Sequence, residues 1–292
     1  MSPNLLRTLL VLGRVSNLPT VWSNCLAGWL LGGATNYQRL PFLFGGATLL
    51  YVGGMFLNDA FDAEFDRAYR KERPIPAGAI SARVVWVLGL ASLLAGEACL
   101  LWLGRWTGIL GILLALFIVV YDWLHKRVSF GPFLMGTCRA LVYLIAASSG
   151  AQGLTGSAVW SGLALGVYVV GLSYLARGET RPAAEQKATG LLRYWPLLLL
   201  VTPQILASIL NGGGYREGAL LIGALCLVWV VKSLRYTLWA AEPNVGRTVS
   251  GLLAGIVLVD WLAVCYAPKD WGFVFIGLFL SALLFQRFVP AT

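Results

Sequence analysis

Charge is what this 292-residue chain has least of. Only 12% of its residues are Asp, Glu, Lys or Arg, about half the share of a soluble globular domain. One histidine, His125, is too few for a His-rich metal centre. Five cysteines (Cys25, Cys99, Cys138, Cys226, Cys265) lie scattered in or beside apolar stretches. They form no CxxC pair and no Cys/His cluster, so they point to no metal site and read as small packing residues. A small-residue cleavage site is also missing after the short apolar stretch of "MSPNLLRTLLVLGRVSNLP", which excludes a secretory signal peptide.

Apolar side chains take the place of charge. The chain is 58% hydrophobic with a mean hydropathy of +0.75. Apolar runs recur along its whole length, and roughly 17–25 residues suffice to cross a hydrocarbon core. These features predict an all-α, multi-pass integral membrane protein in one membrane-embedded domain, residues 1–292, and exclude a soluble bundle. Spans are expected near 17–34, 41–60, 84–103, 106–124, 132–150, 157–176, 194–210, 217–240, 249–267 and 271–289. With that register, 17 Lys and Arg residues fall on one side and 4 on the other, with Arg139 inside a span left out. The positive-inside rule then places the N-terminus, and the loops after even-numbered spans, in the cytoplasm. The same rule accounts for most of the net charge of +9 without nucleic acid. A basic loop that holds a polyanionic substrate accounts for the rest.

Charge gathers in one place. "GGMFLNDAFDAEFDRAYRKERPIPAG", Gly53 to Gly78, holds five of the thirteen acids and four basic residues. Asn58, Asp62 and Asp66 recur at i, i+4, i+8, which stacks them on one face of a helix. Asp59 falls off that face and Glu64 on the opposite side. Two aspartates at i, i+4 repel each other, and a divalent cation removes the penalty. Oxygen ligands without His or Cys favour Mg²⁺, which commonly bridges carboxylates to substrate phosphates. Arg67, Arg70, Lys71 and Arg73 follow at once, so metal-holding acids adjoin phosphate-holding cations. The alternative is a solvated connecting loop. Against it, Asn58 and Asp62 stand at the end of an apolar span, where ionisable groups are costly and tend to be functional.

"NDAFDAEFDRAYRKERPIPAGAIS" resembles the first aspartate-rich motif of the UbiA family of intramembrane prenyltransferases: N-x-x-x-D-x-x-x-D, a basic run, then a Pro/Gly turn. It falls where the family has it, after the second span. The resemblance covers the whole chain in length and span order. It implies a helical bundle of nine spans, against the ten read here, around a central cavity. It also implies transfer of an isoprenoid from its diphosphate to an aromatic or lipidic acceptor, with Mg²⁺ bridging carboxylates and diphosphate. Asn58, Asp62 and Asp66 carry over as metal-side ligands and Arg73 as a diphosphate contact. "YDWLHKR" resembles the family's Tyr-plus-Lys motif, which makes Lys126 a diphosphate contact and places Tyr121 toward the allylic carbon; an interfacial aromatic and a positive-inside lysine are the alternatives.

The chain departs from the family after span 6. There "YLARGETRPAAEQ" has no aspartate where a second acidic motif is usual. Either Glu179 alone holds a metal, or Arg177 and Arg181 replace metal charge on the phosphate; Glu179 paired with an arginine is the third option. Arg139, inside span 5, is expected to face the cavity, bind diphosphate, or pair with an acid such as Asp122. Glu97 and Asp260 read as structural hydrogen-bonded or near-interface groups, and Asn17 and Asn24 frame the first span. The expected partners are an isoprenoid diphosphate, a hydrophobic acceptor and membrane lipid. The degenerate second motif keeps two other readings open: another diphosphate enzyme on this scaffold, such as a cyclase or phosphohydrolase, and a non-catalytic or transport-related membrane protein.

Overall fold

The computed structural model describes residues 5–34, 36–177, 195–210, 216–240 and 242–290. Among the described residues there are helices and turns and no strand. In chain order the helices are α1 (Leu5–Leu12), α2 (Leu18–Leu31), α3 (Leu40–Phe61), α4 (Ala63–Tyr69), α5 (Ala82–Leu103), α6 (Arg105–Leu124), α7 (Gly131–Ser148), α8 (Gly156–Arg177), α9 (Trp195–Leu200), α10 (Thr202–Leu210), α11 (Arg216–Leu238), α12 (Val245–Ala263) and α13 (Asp270–Phe285).

Each of the ten expected spans contains helix, but among the described residues seven helices are long and apolar enough to cross a bilayer: α3, α5, α6, α7, α8, α11 and α12. The expected nine or ten therefore exceeds the number with full spanning length. α2 has 14 residues, with Pro19 in its first turn and Gly32 capping its end. The 194–210 segment breaks at Val201 between α9 and α10. Pro203 follows directly, where its missing N–H and bulk weaken helical continuity. α13 has 16 residues.

α2 is the hub, buried along almost its whole length and packed against α3, α7, α12 and α13. Small residues let the helices meet backbone to backbone, a common device where lipid supplies no hydrophobic drive to associate. A β-carbon on Gly28 of α2 would lie 2.6 Å from the Tyr143 carbonyl oxygen of α7, and one on Gly136 of α7 would lie 2.5 Å from the Gly166 oxygen of α8. α5 and α6 form one flank and turn large apolar residues outward, including Leu94, Leu101, Ile112 and Leu116, with Trp102 and Trp106 at one end. That is a lipid-facing surface.

α3 and α6 run to the same end of the bundle, where α3 gives way to the short α4 and α6 to the turn before α7. α1 reaches that end too, and Arg14 joins it to α2 in the left-handed conformation (φ 42°, ψ 48°). These segments position the candidate site.

Candidate active site

The acidic motif spans a helix junction. α3 ends at Phe61 and α4 begins at Ala63, yet the i→i−4 pattern continues: the Asp62 N–H donates to the Asn58 carbonyl (3.0 Å) and the Asp66 N–H to that of Asp62 (2.9 Å). The expected helical spacing is thus retained through the junction. Asn58, Asp59 and Asp66 are buried, Asp62 is half-buried, and Glu64 is exposed on the outer side of α4.

Resident cations already touch this motif. Lys126, in the turn after α6, places Nζ 2.8 Å from Asp62 Oδ1 and 4.0 Å from Asp66 Oδ1. The same ammonium lies 3.7 Å from the centre of the Phe65 ring, within cation–π range. His125 Nε2 is 3.5 Å from the other Asp62 oxygen. Burial pushes the Asp62 carboxyl up, but hydrogen bonds and charge from His125 and Lys126 outweigh it and hold it below its ordinary range. Burial raises Asp66, which Lys126 offsets only in part. Buried Asp66 Oδ1 has no hydrogen-bond partner among the described residues.

Arg14, one of the 17 charges on the basic side, also reaches the motif. In the structure its Nη2 donates to Asn58 Oδ1 and Asp59 Oδ1, both at 3.3 Å, and its Nη1 approaches Met55 Sδ at 3.4 Å. Arg73 is half-buried, its guanidinium pKa lowered by burial with Arg14 adding to the shift and Asp59 opposing it. Arg70 is half-buried, and Arg67 is exposed on α4. Arg177, the last residue of α8, donates to three carbonyls of the α6–α7 turn: His125 (2.6 Å), Ser129 (2.9 Å) and Val128 (3.1 Å). Glu179 and Arg181 lie outside the described residues.

Directly beneath the charges is a cavity of about 70 Å³ bounded by α2, α3, α6 and α7. Tyr121, Asp122, Tyr51, Ile118, Met135 and Arg139 are among its walls. Tyr121 stacks on His125, with ring centres 5.0 Å apart. A larger cavity of about 350 Å³ lies between α8, α10 and α12. Its walls carry no Asp, Glu, Lys or Arg, so it is not where the polar chemistry converges.

Arg139 faces the cavity, as one alternative held, but the pairing with Asp122 does not occur. Asp122 Oδ1 accepts from Asn58 Nδ2 at 3.0 Å. Arg139 Nη1 donates instead to Asn24 Oδ1 at 2.9 Å. Asn24 Nδ2 then donates to Asp260 Oδ2 at 2.7 Å, and Tyr143 donates to Asp260 Oδ1 at 2.7 Å, with Ser23 also bonded to Asp260. The offset is geometric. α6 and α7 meet at the turn, and Arg139 lies eight residues into α7, about 12 Å deeper. Asp122 is near the end of α6 and only a few ångströms below the turn. Asp260 is the hydrogen-bonded structural group expected of it. Glu97 does not meet the hydrogen-bonded alternative: both its buried oxygens lack a partner among the described residues. Asn17 Nδ2 donates to the Tyr51 hydroxyl at 3.3 Å.

The profile of the UbiA prenyltransferase family matches residues 16–236, most of the chain. The chain belongs to the UbiA family. Its relatives include the digeranylgeranylglyceryl phosphate synthase of Methanothrix thermoacetophila, 38% identical over 91 residues, which are 30% of this chain and 34% of that one. The mitochondrial 4-hydroxybenzoate polyprenyltransferase of Rattus norvegicus is 29% identical over 231 residues, 78% of this chain and 59% of that one. This UbiA chain thus aligns with less than two-thirds of the length of either relative. A solved apo structure of a UbiA homolog from Aeropyrum pernix K1 superposes with a TM-score of 0.68 at 17% identity, over 87% of this chain and 98% of that one. That likeness establishes the shared fold.

No three His, Cys, Asp or Glu side chains among the described residues form a ready metal cage. The donor set of this UbiA site nonetheless fits Mg²⁺ shared with a ligand. Asn58, Asp62 and Asp66 can offer oxygen ligands, and buried Asp66 Oδ1 accepts no hydrogen bond among the described residues. Mg²⁺ usually takes one or two protein carboxylates and completes its shell with water and phosphate. Two members of the cluster escaped sequence reasoning, Arg14 and His125. The proximity of His125 to Lys126 was a usable signal. Arg14 reaches Asn58 across 44 residues of chain, and no local pattern announces that.

Proposed function

We propose that this chain is an intramembrane prenyltransferase that moves an isoprenoid from an allylic diphosphate to an aromatic or lipidic acceptor, with Mg²⁺. The observation that carries the reading is the stacking of two layers: carboxylates and cations at the end of the bundle, and an apolar aromatic-walled cavity below them. Diphosphate suits the first layer and an isoprenoid the second. Family membership and the names of the two relatives support prenyl transfer as the reaction class.

In this reading Lys126 and Arg73 hold diphosphate oxygens through charge-assisted contacts. Arg70 and the exposed Arg67 add longer-range positive potential. Asn58, Asp62 and Asp66 would hold Mg²⁺, which supplies charge neutralisation to the leaving diphosphate. The allylic C1–O bond breaks with its electron pair passing to diphosphate. The acceptor's nucleophilic atom bonds to C1 and releases a proton. Tyr121, at the boundary of the two layers, presents a π face to the developing positive charge. The apolar walls keep water from that carbon. The charge asymmetry of the loops supports a cytoplasmic position for this end of the bundle and for the N-terminus.

The test is to incubate purified protein with a panel of allylic diphosphates, Mg²⁺, and either 4-hydroxybenzoate or a lipid acceptor, and to measure diphosphate release and prenylated product. Asp62→Ala and Asp66→Ala should each abolish turnover while the protein stays folded in detergent. Near wild-type turnover in both variants refutes the aspartate site.

A further inference from the structure

We propose that Lys126 is a resident cation of the metal position: in the empty site its ammonium takes the place between Asp62 and Asp66, and diphosphate must draw it away before a divalent ion can enter. The inference rests on the reading above that diphosphate binds at this end of the bundle. It adds an order of binding that the reading does not contain.

Three contacts put the ammonium there. Asp62 Oδ1 is at 2.8 Å, Asp66 Oδ1 at 4.0 Å, and the Phe65 ring centre at 3.7 Å. Each of the two carboxylates expected to bind metal thus faces the same nitrogen, and the aromatic face covers another side of it. The position is not an accident of a flexible side chain. Arg177 holds the carbonyls of His125, Val128 and Ser129, which fixes the turn carrying Lys126. His125 is fixed in turn by its Nδ1 contacts to the Tyr121 and Asp122 carbonyls, at 3.2 and 3.1 Å, and occupies the second oxygen of Asp62. The same pattern recurs on Asn58, whose Oδ1 accepts from Arg14. Cationic side chains therefore already touch Asn58 (Arg14) and Asp62 (Lys126), and the Lys126 ammonium stands 4.0 Å from Asp66.

A divalent ion would bind these oxygens at about 2.0–2.1 Å. It would then stand only a few ångströms from the ammonium, and like charges at that range repel strongly. Two carboxylates less one ammonium leave a single net negative charge, a poor match for an ion of charge +2. Diphosphate changes both terms. It gives Lys126 stronger acceptors than a carboxylate, and it supplies oxygens that complete the ion's shell. Lys126 is 31% exposed at the side chain, against 14% for Asp62, so it can turn toward an incoming anion while Asp62 stays in place.

The experiment uses the purified full chain in detergent, with Mn²⁺ as a spin probe and inorganic pyrophosphate as the anion. Free Mn²⁺ is counted by electron paramagnetic resonance, and the melting temperature is followed in parallel. Wild type should bind Mn²⁺ weakly alone and at least about tenfold more tightly with pyrophosphate. Lys126→Gln should bind Mn²⁺ without pyrophosphate at least about tenfold more tightly than wild type does. Mn²⁺ alone should raise the melting temperature of Lys126→Gln and leave wild type unmoved. Lys126→Arg keeps the positive charge and should behave as wild type; Lys126→Met serves if the glutamine variant does not fold. Equal Mn²⁺ affinity in wild type and the neutral variants, without pyrophosphate, overturns the proposal. If Lys126→Gln gains Mn²⁺ affinity but wild type turns over no allylic diphosphate, the prenyl-transfer reading fails and the resident cation stands.

Discussion

Replacing Arg177 separates two roles that a single arginine near a phosphate site can play. Its guanidinium makes three contacts to backbone carbonyls of the α6–α7 turn. A hydrogen bond from a charged donor contributes about 1.5–3 kcal/mol net. The three share one half-buried side chain and are not additive, so about 2–4 kcal/mol is the expected loss in Arg177→Ala. For a chain of this size that corresponds to a fall in melting temperature of roughly 3–7 °C. Loosening the turn also misplaces His125 and Lys126, so pyrophosphate affinity should fall with stability. Gly131→Ala provides the decisive control. A β-carbon there would collide with Arg177 Nη2, displacing the guanidinium from the turn without removing its charge. Thermal melts and pyrophosphate titrations on both variants check this. If Arg177→Ala loses pyrophosphate affinity at an unchanged melting temperature, and Gly131→Ala is silent, the clamp argument is wrong and Arg177 contacts phosphate directly.

Three further outcomes are expected. In chelator, Asp66→Asn should raise the melting temperature at neutral pH: burial raises the Asp66 carboxyl, so its ionisation opposes folding as pH rises, and the amide removes that cost. Asp62 has the opposite sign. Its depressed carboxyl contributes stability at neutral pH that is lost as pH falls through its folded value, so acid melts of Asp62→Asn should be flatter than wild type, and parallel curves would contradict the pairing. Cysteine labels at Ala77 and Gly153 should report opposite faces of the membrane, because α5, α6 and α7 lie between them; the positive-inside rule makes Ala77 cytoplasmic, and labelling on one face would overturn the span register.

Hydropathy was enough to place the helices, because lipid makes every spanning segment declare itself by length and composition. It did not show which helices fall short of spanning, since proline and glycine end α2 and break α9 from α10 inside runs that remain apolar. The motif spacing was legible because Asn58, Asp62 and Asp66 lie within three helical turns. Pairings across helices were not. The acid nearest to Arg139 in sequence is Asp122, yet Arg139 bonds Asn24 and reaches Asp260 only through it, because depth along antiparallel helices decides contact, and sequence distance does not. Arg14 was hidden for the same reason: its partners are on another helix, and its left-handed backbone has no glycine to mark it.

The Asp260 network also bears on how the protein is made. α12 carries this carboxylate into the bundle, and its partners Ser23, Asn24 and Tyr143 sit on α2 and α7, which leave the ribosome earlier. Asp260 stands three residues before the end of α12, and an acid in a lone helix opposes insertion, by up to about 2.5–3.5 kcal/mol at the centre and by less toward an end. α12 is therefore a helix that becomes comfortable in the bilayer only after the first half of the chain has assembled. A fragment that contains α11 to α13 alone should insert poorly, and co-expression of the missing N-terminal half should rescue it.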